Sequence, residues 1–332
     1  MVSLIKQRHL EKGKWLLFIG LLLSVATIGP SFAQEFPTKP INLIIGKAPG
    51  LSPDISSRFL ASKAEKILGQ PFVITNNGGG GGSVAYGIIA KAKPDGYHLV
   101  SDLSTSLVRI PHFRSVPYKL DDFAPIMSFG AIQSGLVVRT DSPWKTLKEF
   151  VDYAKKNPGK VTYASTGVGG APHHAMEFIG KQEGGISWTH VPFSGDPMVA
   201  LLGGHVTAYS GGTVFIPHVK AGSFRILVTH GEKRLKSFPE VPTLRELGYN
   251  FVNETMFLVV APKGTPLPIV KKLEEALRKS MDEPGFVRHM EELENVIAFR
   301  NAEDTKNYLE DAYDRIGKLT KELKIPSEGE KK

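Results

Sequence analysis

The chain has 332 residues, with 41 Lys and Arg against 33 Asp and Glu, a formal net charge of +8, and no cysteine. The missing thiols exclude a disulfide framework, a lipid-modified cysteine at an export junction, and any thiolate metal site or nucleophile. The basic excess is mild and forms no stripe interleaved with aromatics, so it argues against nucleic acid and only biases the long-range field toward small anions.

The N-terminal segment reads as an export signal. Lys6, Arg8, Lys12 and Lys14 form a basic stretch, residues 15–28 an apolar run, and Gly29-Pro30 a break. Ser31-Phe32-Ala33 then supplies the small residues of a cleavage site after Ala33. A run of 14 residues falls short of the roughly 20 that a bilayer helix needs. Removal of residues 1–33 leaves a formal charge of +5 on 299 residues, exported most simply to a bacterial periplasm. That length suggests two domains.

Beyond the signal, strand and helix patterns alternate with short breaks, as in an α/β protein with largely parallel sheets. Residues 41–45 read as a buried strand. Residues 54–68 place Ile55, Phe59, Leu60, Ala64 and Ile67 on one helical face that Gly69 ends. A strand at 72–75, a helix at 83–93, a turn at Pro94-Asp95-Gly96 and a strand at 97–103 complete a βαβαβ series. Strands at 125–130 and 136–139 follow, separated by 131–135. Next come a helix at 146–157 and strands at 161–164, 187–191, 206–209 and 224–229, alternating with helices at 171–183, 197–202 and 214–221. A strand at 257–261 and helices at 268–281 and 302–323 close the chain. Terminal helices after a central block suggest a discontinuous first domain, residues 34–130 plus 250–326, around a second at 131–249. Two crossings make a hinge. The charged residues 327–332 read as a disordered tail.

Four strand-to-helix junctions are built from glycine and small hydroxyl residues, two in each half. They are Gly46 to Asp54, Asn76-Asn77 with five glycines and Ser83, Ser165 to Ala171, and Phe193-Ser194-Gly195-Asp196-Pro197. Each places backbone N–H groups at a helix start, where the dipole favours an anion. Together they point to a carboxylate gripped from both sides. Asp54 reads equally as the N-cap of its helix. Lys47 reads as a solvated loop lysine, and Phe193 and Tyr209 as core residues.

Enzyme readings find little purchase. Gly80-Gly81-Gly82-Ser83-Val84-Ala85 fits GxGxxA after a strand, with Asp102 about 20 residues on, but a five-glycine run satisfies that pattern by accident. No GxxxxGK[ST] or GxSxG occurs. His173 and His174 lack further ligands at metal-binding spacing, so neither metal nor cofactor is expected.

An ordered set of short markers resembles the substrate-binding proteins of tripartite tricarboxylate transporters, the Bug-type periplasmic receptors. These markers are Phe36-Pro37-Thr38-Lys39-Pro40, Pro49-Gly50 with Asp54, Leu68-Gly69-Gln70-Pro71, Lys93-Pro94-Asp95-Gly96-Tyr97, Gly169-Gly170-Ala171-Pro172-His173 and His190-Val191-Pro192-Phe193. Further on come Leu202-Gly203-Gly204-His205, Phe238-Pro239-Glu240-Val241-Pro242-Thr243 and Ala261-Pro262-Lys263-Gly264-Thr265-Pro266. The resemblance implies a two-lobed type II periplasmic binding fold with two hinge-crossing segments. It also implies a small organic carboxylate ligand, a membrane permease as partner, and a monomer. Carried onto this chain it nominates Ala48, Gly50, Ser52 and Asp54, then Gly80, Gly81, Gly82 and Ser83, then Ser104 and Thr105. In the second lobe it nominates Ser165, Thr166, Gly169, Gly170, Ala171 and His173, with Phe193, Ser194 and Asp196 opposite. Leu51 stands where glycine is common and Lys47 where an apolar residue or proline is usual. Tyr209-Ser210-Gly211-Gly212-Thr213 lacks an acidic pair, which argues against an amino-acid ligand. A sensory receptor for a two-component kinase or an exported α/β enzyme would be the alternatives.

Overall fold

A computed structural model describes residues 35–165, 167–192, 197–253 and 255–325. The export signal with its cleavage site and the tail at 327–332 lie outside those residues. All elements below belong to the unit spanning residues 39–332.

The first sheet has the order β11-β4-β10-β3-β1-β2. Its strands are β1 (Ile41–Ile45), β2 (Phe72–Asn76), β3 (His98–Leu103), β4 (Phe123–Ile132), β10 (Thr255–Pro262) and β11 (Val296–Arg300). The second has the order β7-β6-β8-β5-β9. It is built from β5 (Ser134–Arg139), β6 (Thr162–Ser165), β7 (Thr189–Pro192), β8 (Ala208–Gly212) and β9 (Phe224–Thr229). Helices α1 (Ser52–Leu68), α2 (Ser83–Ile89) and α3 (Thr105–Val108) follow β1, β2 and β3. Helix α4 (Leu147–Lys156) precedes β6, and α5 (Ala171–Gln182) and α6 (Pro197–Leu202) follow β6 and β7. The remainder are α7 (Ile216–Lys220), α8 (Leu267–Ser280), α9 (Pro284–Glu292) and α10 (Ala302–Glu322).

Burial explains the strand roles. Every residue of β10 is buried, as befits a central strand covered on both faces. In β1, Ile41, Leu43 and Ile45 alternate inward. Helix α4 starts with a capping box in which the Thr146 hydroxyl accepts from the Glu149 N–H at 3.2 Å. Helix α1 stops at Gly69, which adopts φ of +71° and donates to Glu65.

The sheets are mixed rather than largely parallel. Strands β1, β2 and β3 are parallel, as are β6, β7 and β8, but each trio meets an antiparallel neighbour. That neighbour is β10 beside β3 and β5 beside β8. Each is the strand that enters after the chain passes between sheets, and the direction of that passage sets its polarity. The break expected at 131–135 is also narrower: β4 runs to Ile132 and β5 begins at Ser134. Gly130 does not end its strand, and Gly135 is not a turn residue. A Cβ at either would lie 2.3 Å from the Val296 carbonyl or 2.8 Å from that of Val228, so close strand approach requires glycine.

Helix α10 spans both sheets' cores. Leu309, Ala312 and Ile316 pack with Tyr86, Val100 and Leu258 of the first, whereas Leu319 packs against the cluster of Phe150, Tyr163 and Ile179 in the second. The helix at 83–93 ends early, at Ile89. Helices α3 and α9 and strand β11 were absent from the sequence reading. Pro284-Gly285 looks like a chain break but opens α9, with Pro284 in the first turn and the Glu283 carboxylate capping the Phe286 N–H at 2.9 Å; position 285 is glycine because a Cβ there would lie 2.4 Å from the Phe59 ring.

Candidate functional site

The junctions occupy equivalent places. Strand β1 sits between β2 and β3, and β6 between β7 and β8, so in each sheet the loop leaving the central strand lies beside the loop leaving its parallel neighbour. This is where a doubly wound sheet offers a crevice beyond its strand ends.

In the first junction Asp54 is a hub and not an N-cap. The cap position is Leu51, without a side-chain cap bond, and Pro53 follows within the first turn. The Asp54 carboxylate accepts from the Gly50 N–H, Arg58 Nε and Asn76 Nδ2, each at 2.8 Å. Burial works to raise this carboxyl, but the bonds from Asn76, Gly50 and Arg58 outweigh it and hold it below the usual range. Gly50 takes φ of +82°, so the loop curls over Asp54. The Ala48 N–H takes no partner among the described residues. Ser52 turns toward α9, its hydroxyl accepting from Asn295 Nδ2 at 3.2 Å.

Lys47 is not a solvated loop lysine. Its ammonium lies 2.8 Å from Asp102 Oδ1 and donates to the Gly81 carbonyl at 2.7 Å. Asp102 is 1% exposed; burial raises its carboxyl, and Lys47 and Ser106 offset part of that rise. Ser106 Oγ lies 2.5 Å from Asp102 Oδ2 and 2.9 Å from the Gly81 carbonyl. Held in this way, Asp102 cannot serve the ribose of a dinucleotide, so the glycine run is not a dinucleotide fingerprint.

The second junction is a tight glycine turn over Gly79–Gly82, left-handed along most of its length, with φ of +60° at Gly80, +72° at Gly81 and +108° at Gly82. A Cβ on Gly82 would lie 2.2 Å from Asp102 Oδ2. Gly80 and Gly81 are exposed, whereas Gly82 and Ser83 are buried. The Ser83 hydroxyl donates to the Gly80 carbonyl at 3.0 Å, and its N–H is spent on Gly79 and Gly80. Ser104 is also internal: its Oγ accepts from the Met256 N–H at 3.0 Å. Thr105, half-buried, opens α3 beside it.

The third junction is held by neutral groups. Ser165, fully buried, lies 2.7 Å from His190 Nε2 and shares its hydroxyl with Gly167 at 3.3 Å. His173 Nδ1 accepts from the Gly169 N–H at 3.0 Å, and the His173 and His190 rings stack at 4.1 Å with Tyr163 beyond. Burial pushes His190 down to about 4. Gly169 adopts φ of +74° with the Phe113 ring against it, so this loop touches the segment after α3. Gly170, with φ of −63°, is the cap position of α5, and Ala171 is buried in its first turn. His174, driven well below its usual range by burial and by Arg109, lies 3.0 Å from the Thr320 hydroxyl on α10. Thr166 and the fourth-junction residues Phe193, Ser194 and Asp196 lie outside the described residues.

Several nominated amides are therefore engaged inside their own loops: Gly50, Ser83 and Gly169 each donate internally. The sequence reading missed the residues that hold the loops, namely Arg58, Asn76, Asp102, Ser106 and His190. Only the i, i+4 spacing of Asp102 with Ser106 and of Asp54 with Arg58 hinted at them.

Among the described residues no three His, Asp or Glu could hold a metal ion, and no helix is long and apolar enough to cross a membrane. The sequence matches the family model described as Tripartite tricarboxylate transporter family receptor over residues 56–325. It is 41% identical over 276 residues to the UPF0065 protein in the gbd 5' region of Cupriavidus necator, covering 80% of this chain and 84% of that one. The structure of the periplasmic binding protein BugD is similar with a TM-score of 0.77 and 27% identity, over 88% of this chain and all of BugD's. MatC from Rhodopseudomonas palustris with bound malate is similar with a TM-score of 0.74 and 26% identity, over 86% of this chain and 99% of MatC's. These neighbours share the two-lobed binding fold and are binding proteins, not enzymes. Sequence and fold agree: the chain belongs to the receptor family of the tripartite tricarboxylate transporters.

Proposed function

We propose that this chain is a periplasmic receptor that captures a small organic carboxylate between two lobes and presents it to the membrane permease subunits of a tripartite tricarboxylate transporter. The observation that carries this reading is the doubled arrangement, with a glycine-rich junction leaving the central parallel strand of each sheet. Malate in MatC supports a small diacid as the ligand class. In this reading residues 1–33 direct export and are removed, and the remaining chain works as a monomer. One lobe comprises residues 34–130 and 250–326, the other residues 131–249.

The exposed Ala48, Gly80 and Gly81, with Thr105, would meet the acid from the first lobe, and Gly170 from the second, while Gly50 and Gly169, whose N–H groups are taken up inside their own loops, would shape those loops. Asp54, Ser83, Ser104, Ser165 and His173 would set the loops. Closure follows only if the ligand binds the closed form better than the open one. Micromolar affinity corresponds to about 8 kcal/mol. Hydrogen bonds to a charged group contribute about 1.5–3 kcal/mol each, so several N–H groups with excluded water suffice.

Native mass spectrometry of the purified protein, followed by calorimetric titration with malate, citrate and benzoate, tests the reading. One unaltered acid per chain is expected. Absence of binding to every carboxylate would reject it, and a chemically converted acid would favour an enzyme. Co-purification with a histidine-kinase ectodomain in place of a permease would reassign the receptor to signalling.

A further inference from the structure

The two junctions of the first sheet come from distant segments, and a carboxylate can use both only if something fixes one against the other. Lys47 and Gly81 are 34 residues apart in sequence, yet the ammonium reaches the Gly81 carbonyl at 2.7 Å. It also lies 3.2 Å from the Gly46 carbonyl, 3.4 Å from Ser106 Oγ and 2.8 Å from Asp102 Oδ1. One cation thereby joins the ends of β1 and β3, the glycine turn and α3. Its side chain is 18% exposed, and the Asp102 side chain is fully buried.

The surroundings are shaped around this pair. A Cβ at Gly46 would lie 2.5 Å from Asp102 Cγ, and one at Gly82 would lie 2.2 Å from Oδ2 and 2.6 Å from Ser106 Oγ. Both glycines leave room for the carboxylate. A trans peptide points its N–H opposite to its C=O. Drawing the Gly81 carbonyl onto Lys47 therefore turns the following N–H away from the lysine.

We propose that Lys47 is a positioning residue, held by Asp102, that latches the glycine turn to the first junction so that the bound carboxylate meets peptide N–H groups and not the lysine charge. This inference rests on the carboxylate reading above and deepens it. A lysine in an anion-binding loop would ordinarily be assigned to the ligand; here its charge is already neutralised by a buried partner.

The test uses the full exported chain and the variants Lys47→Met and Lys47→Met with Asp102→Asn. Hydrogen–deuterium exchange over residues 77–86 is read without ligand, and malate binding by calorimetry. Lys47→Met strands a buried carboxylate beside the Gly81 carbonyl, so exchange should rise and affinity fall by about tenfold or more. The double variant removes the stranded charge and leaves Ser106 on the Gly81 carbonyl, so both readouts should return to within about threefold of the parent. Lys47→Gln keeps a donor without the charge, should fall between the two, and replaces Lys47→Met if that variant fails to fold.

Unchanged exchange in Lys47→Met would overturn the latch. So would a double variant that regains loop protection but not affinity, because the lysine charge would then be acting on the ligand directly. If the exchange results come out as expected while the parent binds no malate or other carboxylate, the carboxylate reading fails and the latch stands.

Discussion

The two halves solve the same geometric problem with different chemistry. Three parallel strands with the first in the middle, followed by an antiparallel strand, occur as β2-β1-β3-β10 and again as β7-β6-β8-β5. In the first, the loops are fixed by ions: Asp54 with Arg58, and Lys47 with Asp102. In the second, the described junction is fixed by stacked imidazoles, a serine hydroxyl and a tyrosine ring. Topology decides where the junctions lie and leaves the means of holding them open. The Asp54 clamp, its carboxyl held low, resists mild acid, whereas the imidazole clamp is sensitive to it, so these two junctions should fail under different conditions.

The largest effect expected from breaking this comparison is Asp54→Ala. It removes the acceptor for Gly50, Asn76 and Arg58 at a site only 3% exposed. Loss of a buried charged partner costs about 3 kcal/mol. Urea denaturation should show that loss, and calorimetry should show weaker ligand binding because the Gly50 turn is released.

Next in size is Gly170→Asp. Gly170 already has the extended conformation of a cap residue. Aspartate there suits the helix but opposes an anionic ligand. Malate affinity should fall more than about tenfold while the melting temperature holds or rises. Unchanged affinity would exclude the start of α5 from ligand contact.

The smallest effect sharpens the contrast in pH. His190 has a folded pKa of about 4, below its usual 6.5, so the unfolded chain takes up the proton first. Its contribution is complete above about pH 6.5 and is lost as pH falls toward 4. The difference in melting temperature between the parent and His190→Phe should therefore change across that window and level off on either side. Buried His230, pushed down to about 3, adds a fall in the same sense that persists in the variant. Asp54, held low by its bonds, gives way only at stronger acid. A pH profile identical in parent and variant would remove His190 from the clamp.

The fold was largely legible because its signals are local. Ile41, Leu43 and Ile45 announce a strand, Gly69 a helix end, and Leu309, Ala312 and Ile316 a helix face. The losses occurred where a local rule met a distant neighbour. Gly130 reads as the last residue of a strand and Gly135 as part of a break, yet both lie within strands pressed against β11 and β9. Strand β11 has three exposed apolar residues, Val296, Ile297 and Phe299, at the edge of its sheet, and so lacks the alternation that marks a half-buried strand.

The sequence by itself determined the α/β alternation, the family resemblance and the positions of the glycine-rich junctions, because each depends on residues close together in the chain. Tertiary structure decided which of those groups remained available. Gly50 was claimed by Asp54, Gly169 by His173, and the Lys47 charge by Asp102. A buried polar group must find a partner wherever the fold supplies one. Partners such as Lys47 and Gly81, or Ser165 and His190, become neighbours only when the sheets have formed.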